Sequence, residues 1–257
     1  MNRSNVYISP ARERPKLKPI TAWRHMQQLI ANKEDTEQVF HIIEALNGDS
    51  ALKDFDRFLS TPEGRSRLKK RDYLPPILDN HEPLLALPKG SVGRTYVEFM
   101  EREGLSAAGL VAESERRSAA WREIDDDLLW YGNLLRDTHD MMHILTGYGR
   151  DALGEAALLG FTHSQHGGLG ISFIAFMGGR QLAKAAPRDA RIQDVIREGR
   201  RNGKLARRII EQDIEALLPR QLEEVRRELN INEPVAYRRA HDVIRAHGLD
   251  PYEAMAA

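Results

Sequence analysis

The chain has 257 residues, 41% of them hydrophobic and 7% aromatic, enough to bury a sizeable core without disulfides. Its 38 Lys and Arg balance 38 Asp and Glu, so no global field marks a dedicated nucleic-acid binder. Cysteine is absent, which excludes thiol nucleophiles, Cys-based zinc sites and disulfide scaffolds. Any transition-metal site must then use His, Asp and Glu.

The opening stretch, MNRSNVYISPARERPKLKPI, is basic and contains proline without an apolar run, so residues 1–20 read as an extended arm and not as a signal peptide. Arg3, Arg12 and Arg14 are weak support for a transit peptide. From residue 21 to 257 the chain reads as one helical domain. Trp23, Met26, Leu29 and Ile30 form one period-3.6 stripe, and Val39, Phe40, Ile42, Ile43 and Leu46 form a second. Asp35 or Thr36 is placed to cap the second helix and Gly48 to end it. A third helix carries Leu52, Phe55 and Leu59, and Thr61-Pro62 starts a fourth with proline at its first position.

The pattern breaks from Tyr73 to Gly93, where prolines 75, 76, 83 and 88 interrupt a leucine-rich segment. It is too apolar for a flexible linker, so its leucines should pack onto the helical body. Helices resume at RTYVEFMEREG and again from Glu115. Asp126 to Leu145 reads as one helix with Tyr131, Leu135, His139 and Met142 or His143 on one stripe. His139 thereby extends an apolar, buried face, with His143 one turn on and Asp140 flanking it. Two histidines at i and i+4 are the spacing by which a helix grips zinc. Gly147 and Gly149 then break the helix, Asp151 caps the next one, and Glu155 lies about a turn into it. An antiparallel turn would return that carboxylate to the histidines. The competing reading makes the histidines hydrogen-bonded core residues and pairs Asp140 with Arg136.

The motif HDMMH, eleven residues, then Glu155, resembles the H-D-x-x-H-x(11)-E pattern of the Coq-four family of ubiquinone (coenzyme Q) biosynthesis proteins. LPKGSVGRTYVEFMEREGLS, LLRDTHDMMHILTGYGRDALGEAALLGF and NGKLARRIIEQDIEALLPRQLEEVRRELNI resemble further segments of it, so the likeness spans about Trp23 to Ile231. The resemblance implies an all-α, single-domain multi-helix bundle with a long apolar cavity for an isoprenoid tail. It implies a divalent metal on His139, Asp140, His143 and Glu155, which would be both ligands and catalytic residues. Zinc is the first choice, with iron, manganese or magnesium as alternatives. It implies removal of the C1 carboxylate of a prenylated benzoate and introduction of an oxygen there. Implied partners are the prenylated aromatic lipid, other ubiquinone biosynthesis proteins and a second copy in a homodimer, with no nucleic acid. The rival readings are a non-catalytic scaffold for prenylated lipids and an HD-type phosphohydrolase. The latter wants an upstream His and a downstream Asp that this context does not offer.

AALLGFTHSQHGGLGISFIAFMGG follows Glu155, and its glycines 160, 167, 168, 170, 178 and 179 could let an alkyl chain lie against backbone, with Phe161, Phe173, Ile174 and Phe176 as lining. Ordinary tight helix packing is the stronger reading of those residues. His163 and His166 lack a nearby carboxylate and read as solvated or locally hydrogen-bonded. Arg94, Arg136 and Arg150 either meet an anionic head group or sit in structural ion pairs. Residues 188–208 hold eight basic and three acidic residues, an excess of 8 − 3 = +5 that would attract an anionic membrane surface. No stretch reaches the roughly 18 apolar residues of a membrane span. Without a clear leader, the expected location is a bacterial cytoplasm, peripheral on the inner face of the inner membrane.

Overall fold

The computed structural model describes residues 6–12, 16–32, 35, 37–117 and 124–252, and among these residues it holds sixteen α-helices and two short 3-10 helices, Arg188–Ala190 and Ile209–Glu211. The α-helices are α1 (Pro19–Ala31), α2 (Glu37–Asn47), α3 (Ser50–Ser60), α4 (Pro62–Lys70), α5 (Pro75–Leu78), α6 (His81–Leu85), α7 (Val92–Glu103) and α8 (Ala107–Arg117). After these come α9 (Asp127–Asp137), α10 (His139–Thr146), α11 (Ala152–His166) and α12 (Leu169–Ala185). The series closes with α13 (Ile192–Leu205), α14 (Ile214–Leu217), α15 (Leu222–Glu228) and α16 (Val235–Ala246). No strand occurs among the described residues, only an isolated bridge between Ser91 and Gln221. The all-α expectation is borne out.

Helix boundaries fall where local chemistry puts them. Thr61 Oγ1 accepts from Gly64 N at 3.1 Å, with Pro62 at the first helical position, where its missing N–H costs nothing. Gly48 (φ +47°) ends α2 in the left-handed region that glycine enters without a Cβ penalty. Thr36, the alternative cap of α2, lies outside the described residues, as do residues 118–123 of the expected helix after Glu115. The proline-rich segment forms the short helices α5 and α6 and buries Leu74, Leu78 and Leu84.

The described residues group into two units, each drawn from three separate stretches of chain. The first holds Ala51–Ile144, Arg208–Val225 and the start of the chain. Its centre is aromatic: the Tyr131 ring lies 5.1 Å from Phe55 and 5.0 Å from Phe58. Tyr131 donates to Asp54 at 2.6 Å, and Arg208 donates to the same carboxylate at 2.6 Å. Arg208, counted above with a membrane-facing basic run, is therefore buried in an ion-paired network with Asp54 and Glu211. Burial alone would lower its pKa, but Asp54, Tyr131 and Glu211 outweigh that and raise it. The start of the chain is pinned to this unit: Tyr7 N donates to Asp127, and Arg12 holds Asp126 through two hydrogen bonds.

In the second unit, α1 and α2 pack together and against α12 around Met26, Ile42 and Ile174. Trp23 and Phe40, read as stripe members, are exposed, and Ala22 takes the buried place on α1. The α11–α13 pair packs through glycine. A Cβ at Gly199 would stand 2.2 Å from Ala157 O, and one at Gly203 would stand 2.4 Å from Phe161 O. Gly160, Gly170 and Gly179 are likewise taken up by helix contacts, with Ile196 O, Ile43 Cα and Ile196 Cδ1 at 3.0, 2.6 and 2.0 Å from the would-be Cβ. Tight packing is thus the role the structure gives these three. No helix among the described residues is long and apolar enough to cross a membrane.

Candidate metal centre

The single helix expected from Asp126 to Leu145 is two helices, α9 and α10, interrupted at Thr138. The cause is local. Thr138 Oγ1 donates back to Leu134 O at 2.8 Å and to Leu135 O at 3.2 Å, a side-chain bond that competes with the helical ladder. The ladder resumes at once, with Met142 N on Thr138 O at 3.2 Å. The buried stripe of α9 consequently runs through Tyr131 and Leu134, and Leu135 is only half-buried.

His139, Asp140 and His143 occupy the first two turns of α10. Each offers a ligand atom, and these atoms lie within 4.8 Å of one another. Among the described residues this is the group that could hold a metal ion. Asp140 and His143 are buried, 7% and 2% exposed, while His139 is half-buried and does not fully join the buried face expected of it. The two imidazole planes are perpendicular, centroids 5.1 Å apart. In that arrangement the in-plane lone pairs can converge, which parallel stacking would prevent. Phe99 of α7 stacks on His143 at 5.7 Å and forms an apolar wall.

Ligands about 2.1 Å from a divalent ion stand roughly 3–4 Å from one another. Two imidazoles and a carboxylate already within 4.8 Å therefore fit such an ion with small side-chain movement. Burial pushes the Asp137 carboxyl up, only partly offset by the Arg136 guanidinium at 2.7 Å. Burial, and then the charges of Asp140, Asp79 and Asp137, push the Tyr96 phenol far up and keep it protonated.

Glu155 lies in the second unit. Asp151 caps α11 as expected, accepting from Leu153 N and Gly154 N at 3.2 Å each, and its carbonyl accepts from Glu155 N at 2.9 Å. Glu155 is thus in the first turn, four residues past the cap, where a capping-box role does not fit. Its carboxylate is about one third exposed and faces Arg150 Nε at 3.9 Å. Arg94 and Arg136 also have ion-pair partners, Glu98 at 3.0 Å and Asp137. His163 Nδ1 contacts Gly168 O at 3.1 Å, a local hydrogen bond as expected.

The sequence reading did not single out Phe99 or Tyr96, because helical period cannot name a tertiary neighbour. It also missed Tyr237 and His241, which hold the other face of Asp151.

The family model described as "Coenzyme Q (ubiquinone) biosynthesis protein Coq4" matches residues 22–235. A Penicillium rubens protein named "Ubiquinone biosynthesis protein coq4, mitochondrial" is 29% identical over 74% of this chain and 64% of its own length. A protein of the same name from Aspergillus clavatus is 30% identical over the same shares. A Neurospora crassa relative, also named mitochondrial, is 30% identical over 70% of this chain and 49% of its own. The chain thus spans less than two thirds of the length of these curated relatives. A crystal structure of a Nostoc punctiforme protein superposes with a TM-score of 0.60 at 22% identity, covering 85% of this chain and all of that one, a likeness of fold.

These relatives overturn one expectation, peripheral placement on the inner face of a bacterial inner membrane, since they are named mitochondrial proteins. The physical reason is that compartment addresses are read by receptors from segments separate from the folded body, so the body carries no trace of them. The family match, reaching from α1 to the first residue of α16 and enclosing the His139–Asp140–His143 group, places the chain in the Coq4 family of coenzyme Q (ubiquinone) biosynthesis proteins.

Proposed function

We propose that this chain is a metal-dependent enzyme acting at C1 of a prenylated benzoate, removing the carboxylate and allowing oxygen to be introduced there. The observation that carries the reading is the convergence of His139, Asp140 and His143, two of them buried, on one point beside an aromatic wall. Glu155 joins the proposed ligand set on the strength of the family motif, and Glu155→Ala is expected to weaken divalent-metal binding in a competition titration. A bound divalent ion, zinc first and iron, manganese or magnesium otherwise, would supply Lewis-acid stabilisation of negative charge on the ring oxygens or carboxylate.

The protein's own groups do the rest. Phe99, buried and stacked on His143, holds that imidazole in an apolar setting. In the reaction the C1–carboxylate bond breaks, carbon dioxide leaves, and the bonding pair remains on the ring. The pair on C1 takes up a proton, and oxygenation there consumes one dioxygen with two electrons and two protons from an external two-electron donor, one oxygen atom entering the ring and the other leaving as water. Zinc has no redox chemistry, so with zinc the oxidation would draw on the electron-rich ring itself.

The test is turnover by the purified, metal-loaded protein of a prenylated 4-hydroxybenzoate analogue under oxygen, followed by carbon dioxide release and mass spectrometry. Release at a rate well above a His139→Ala control is expected. Tight binding of the analogue with no turnover would replace this reading by the non-catalytic scaffold.

The prenylated substrate and an anionic membrane go together in this reading. In the second unit Arg197, Arg200, Arg201, Lys204 and Leu205 line a shallow pocket of about 330 Å³. Phe176, Arg180, Ala183, Lys184 and Gln193 line another of about 320 Å³. Cations beside the exposed Phe176 and Leu205 suit a headgroup layer. Flotation with vesicles containing anionic lipid, and none with neutral vesicles, is expected. Equal recovery with both would remove the membrane from the proposal. Partner biosynthesis proteins and a homodimer belong to the same reading.

A further inference from the structure

One face of α13, in the second unit, gathers positive charge that the metal chemistry does not use. Arg197, Arg200, Arg201 and Lys204 stand at i, i+3, i+4 and i+7 and, with Leu205, line a pocket of about 330 Å³. No acidic side chain contributes to that lining. The opposite face, through Val195, Gly199, Asn202 and Gly203, is buried, and its glycines press on α11. The cations are therefore held on the outer side of the helix.

The crowding is uncompensated. Arg197 and Lys204 each lie three and four residues from Arg200 and Arg201, spacings at which like charges weaken a helix. Asp194 is shared, meeting Arg197 Nη1 at 2.7 Å and Arg191 Nε at 2.6 Å. Glu198, on the same helix, is buried and accepts from Ala236 N and Tyr237 N at 2.7 and 3.3 Å. Among the described residues, neither Arg201 nor Lys204 has an ion-pair partner.

Arg200 is also fixed in place. Its Nη2 donates to Ser172 Oγ of α12 at 3.2 Å, and its carbonyl accepts from Ser164 Oγ of α11 at 2.9 Å. Gly160 leaves room for its stem, since a Cβ there would stand 3.4 Å from Arg200 Cγ. Its Nε is buried with no hydrogen-bond acceptor, a costly state for a charged donor. A solvated surface arginine needs none of these supports.

We infer that this face of α13 seats one phosphate group, with Arg200 as the fixed fork and Arg197, Arg201 and Lys204 supplying charge around it. A phosphate offers several acceptor oxygens and close to two negative charges, and guanidinium forks match its geometry. A carboxylate offers fewer oxygens and one charge, so the seat favours phosphate. The group arrives on a soluble phosphate ester or as a lipid headgroup. The second source rests on the membrane reading above and gives it a defined contact, whereas the phosphate chemistry stands without it.

The experiment uses the full chain, with inorganic pyrophosphate as the soluble probe and citrate as a phosphate-free anion of similar charge. Arg200→Lys keeps the charge and loses the fork, and Arg201→Gln with Lys204→Gln removes two exposed cations. Lys53→Gln with Lys69→Gln, exposed cations of the first unit, is the charge-matched control. Calorimetry should show one pyrophosphate per chain, bound more tightly than citrate. Arg200→Lys should weaken it about tenfold, the double variant further, and the control not at all. Flotation then names the source. Preference for phosphatidylcholine–phosphatidate over phosphatidylcholine–phosphatidylserine vesicles of equal charge, lost in Arg200→Lys, identifies a lipid headgroup. Pyrophosphate binding without that preference identifies a soluble ester. No flotation at all would end the membrane reading while the seat stands. Pyrophosphate bound no better than citrate, or equally well by Arg200→Lys, would overturn the seat. Vesicle attachment that persisted in that case would leave the membrane reading to rest on diffuse charge.

Discussion

His143→Gln is expected to abolish divalent metal binding while leaving the apo protein folded. His143 is 2% exposed, stacked on Phe99 and edge-on to His139, so its ring is held in place before any ion arrives. Glutamine roughly fills the space but removes the imidazole nitrogen. Loss of residues behind a ligand already costs about 10–100-fold in affinity, so loss of the ligand should exceed that. The readout is thermal. A ligand at one hundred times its dissociation constant stabilises the folded state by about 2.7 kcal/mol, which appears as a metal-dependent rise in melting temperature. Wild type should show that rise and the variant should not, with the two melting at similar temperatures in chelator. A variant that still binds metal with wild-type affinity would remove the metal centre and the function built on it. His139→Ala should behave in the same direction with a smaller cost to the apo fold, because His139 is half-buried.

The second large effect is structural. Gly199→Ala should destabilise the protein by about 3 kcal/mol, at the upper end of what overpacking costs. The added methyl would stand 2.2 Å from the carbonyl oxygen of Ala157, and a backbone atom in the middle of α11 cannot swing aside as a side chain can. The two helices would have to separate along their contact, losing dispersion contacts over several residues. Gly203→Ala, at 2.4 Å from Phe161 O one turn further on, should act alike, and the double variant should show less than the sum because one separation relieves both. Gly178→Ala is the control, since a Cβ there meets nothing within 4 Å. Chemical denaturation checks this. Midpoints for Gly199→Ala and Gly178→Ala that coincide would show that α11 and α13 are not in the close contact described.

Much of this was readable from the chain alone, and the reason is range. Caps and helix ends depend on a few neighbouring residues, so Thr61-Pro62, Gly48 and Asp151 do locally what their sequence context implies. The clustering of His139, Asp140 and His143 is also a local matter, because residues three and four apart on a single helix share a patch wherever that helix goes. The all-α class follows from the same period repeated along the chain, and the family motif needed no coordinates at all.

What the sequence left open concerns partners distant in the chain. Arg208 looked like one cation in a basic run, but Asp54 and Glu211 draw it into the interior, where an unpaired guanidinium would be prohibitive. Thr138 looked like an ordinary helical residue, and its hydroxyl ended a helix that periodicity had carried through. Gly160, Gly170 and Gly179, for which tight packing was the stronger reading and room for an alkyl chain the rival, are points where helices touch. Only tertiary structure could bring Phe99 to His143, or Tyr237 and His241 to Asp151, since hydrophobic period tells which face is buried but not what it is buried against.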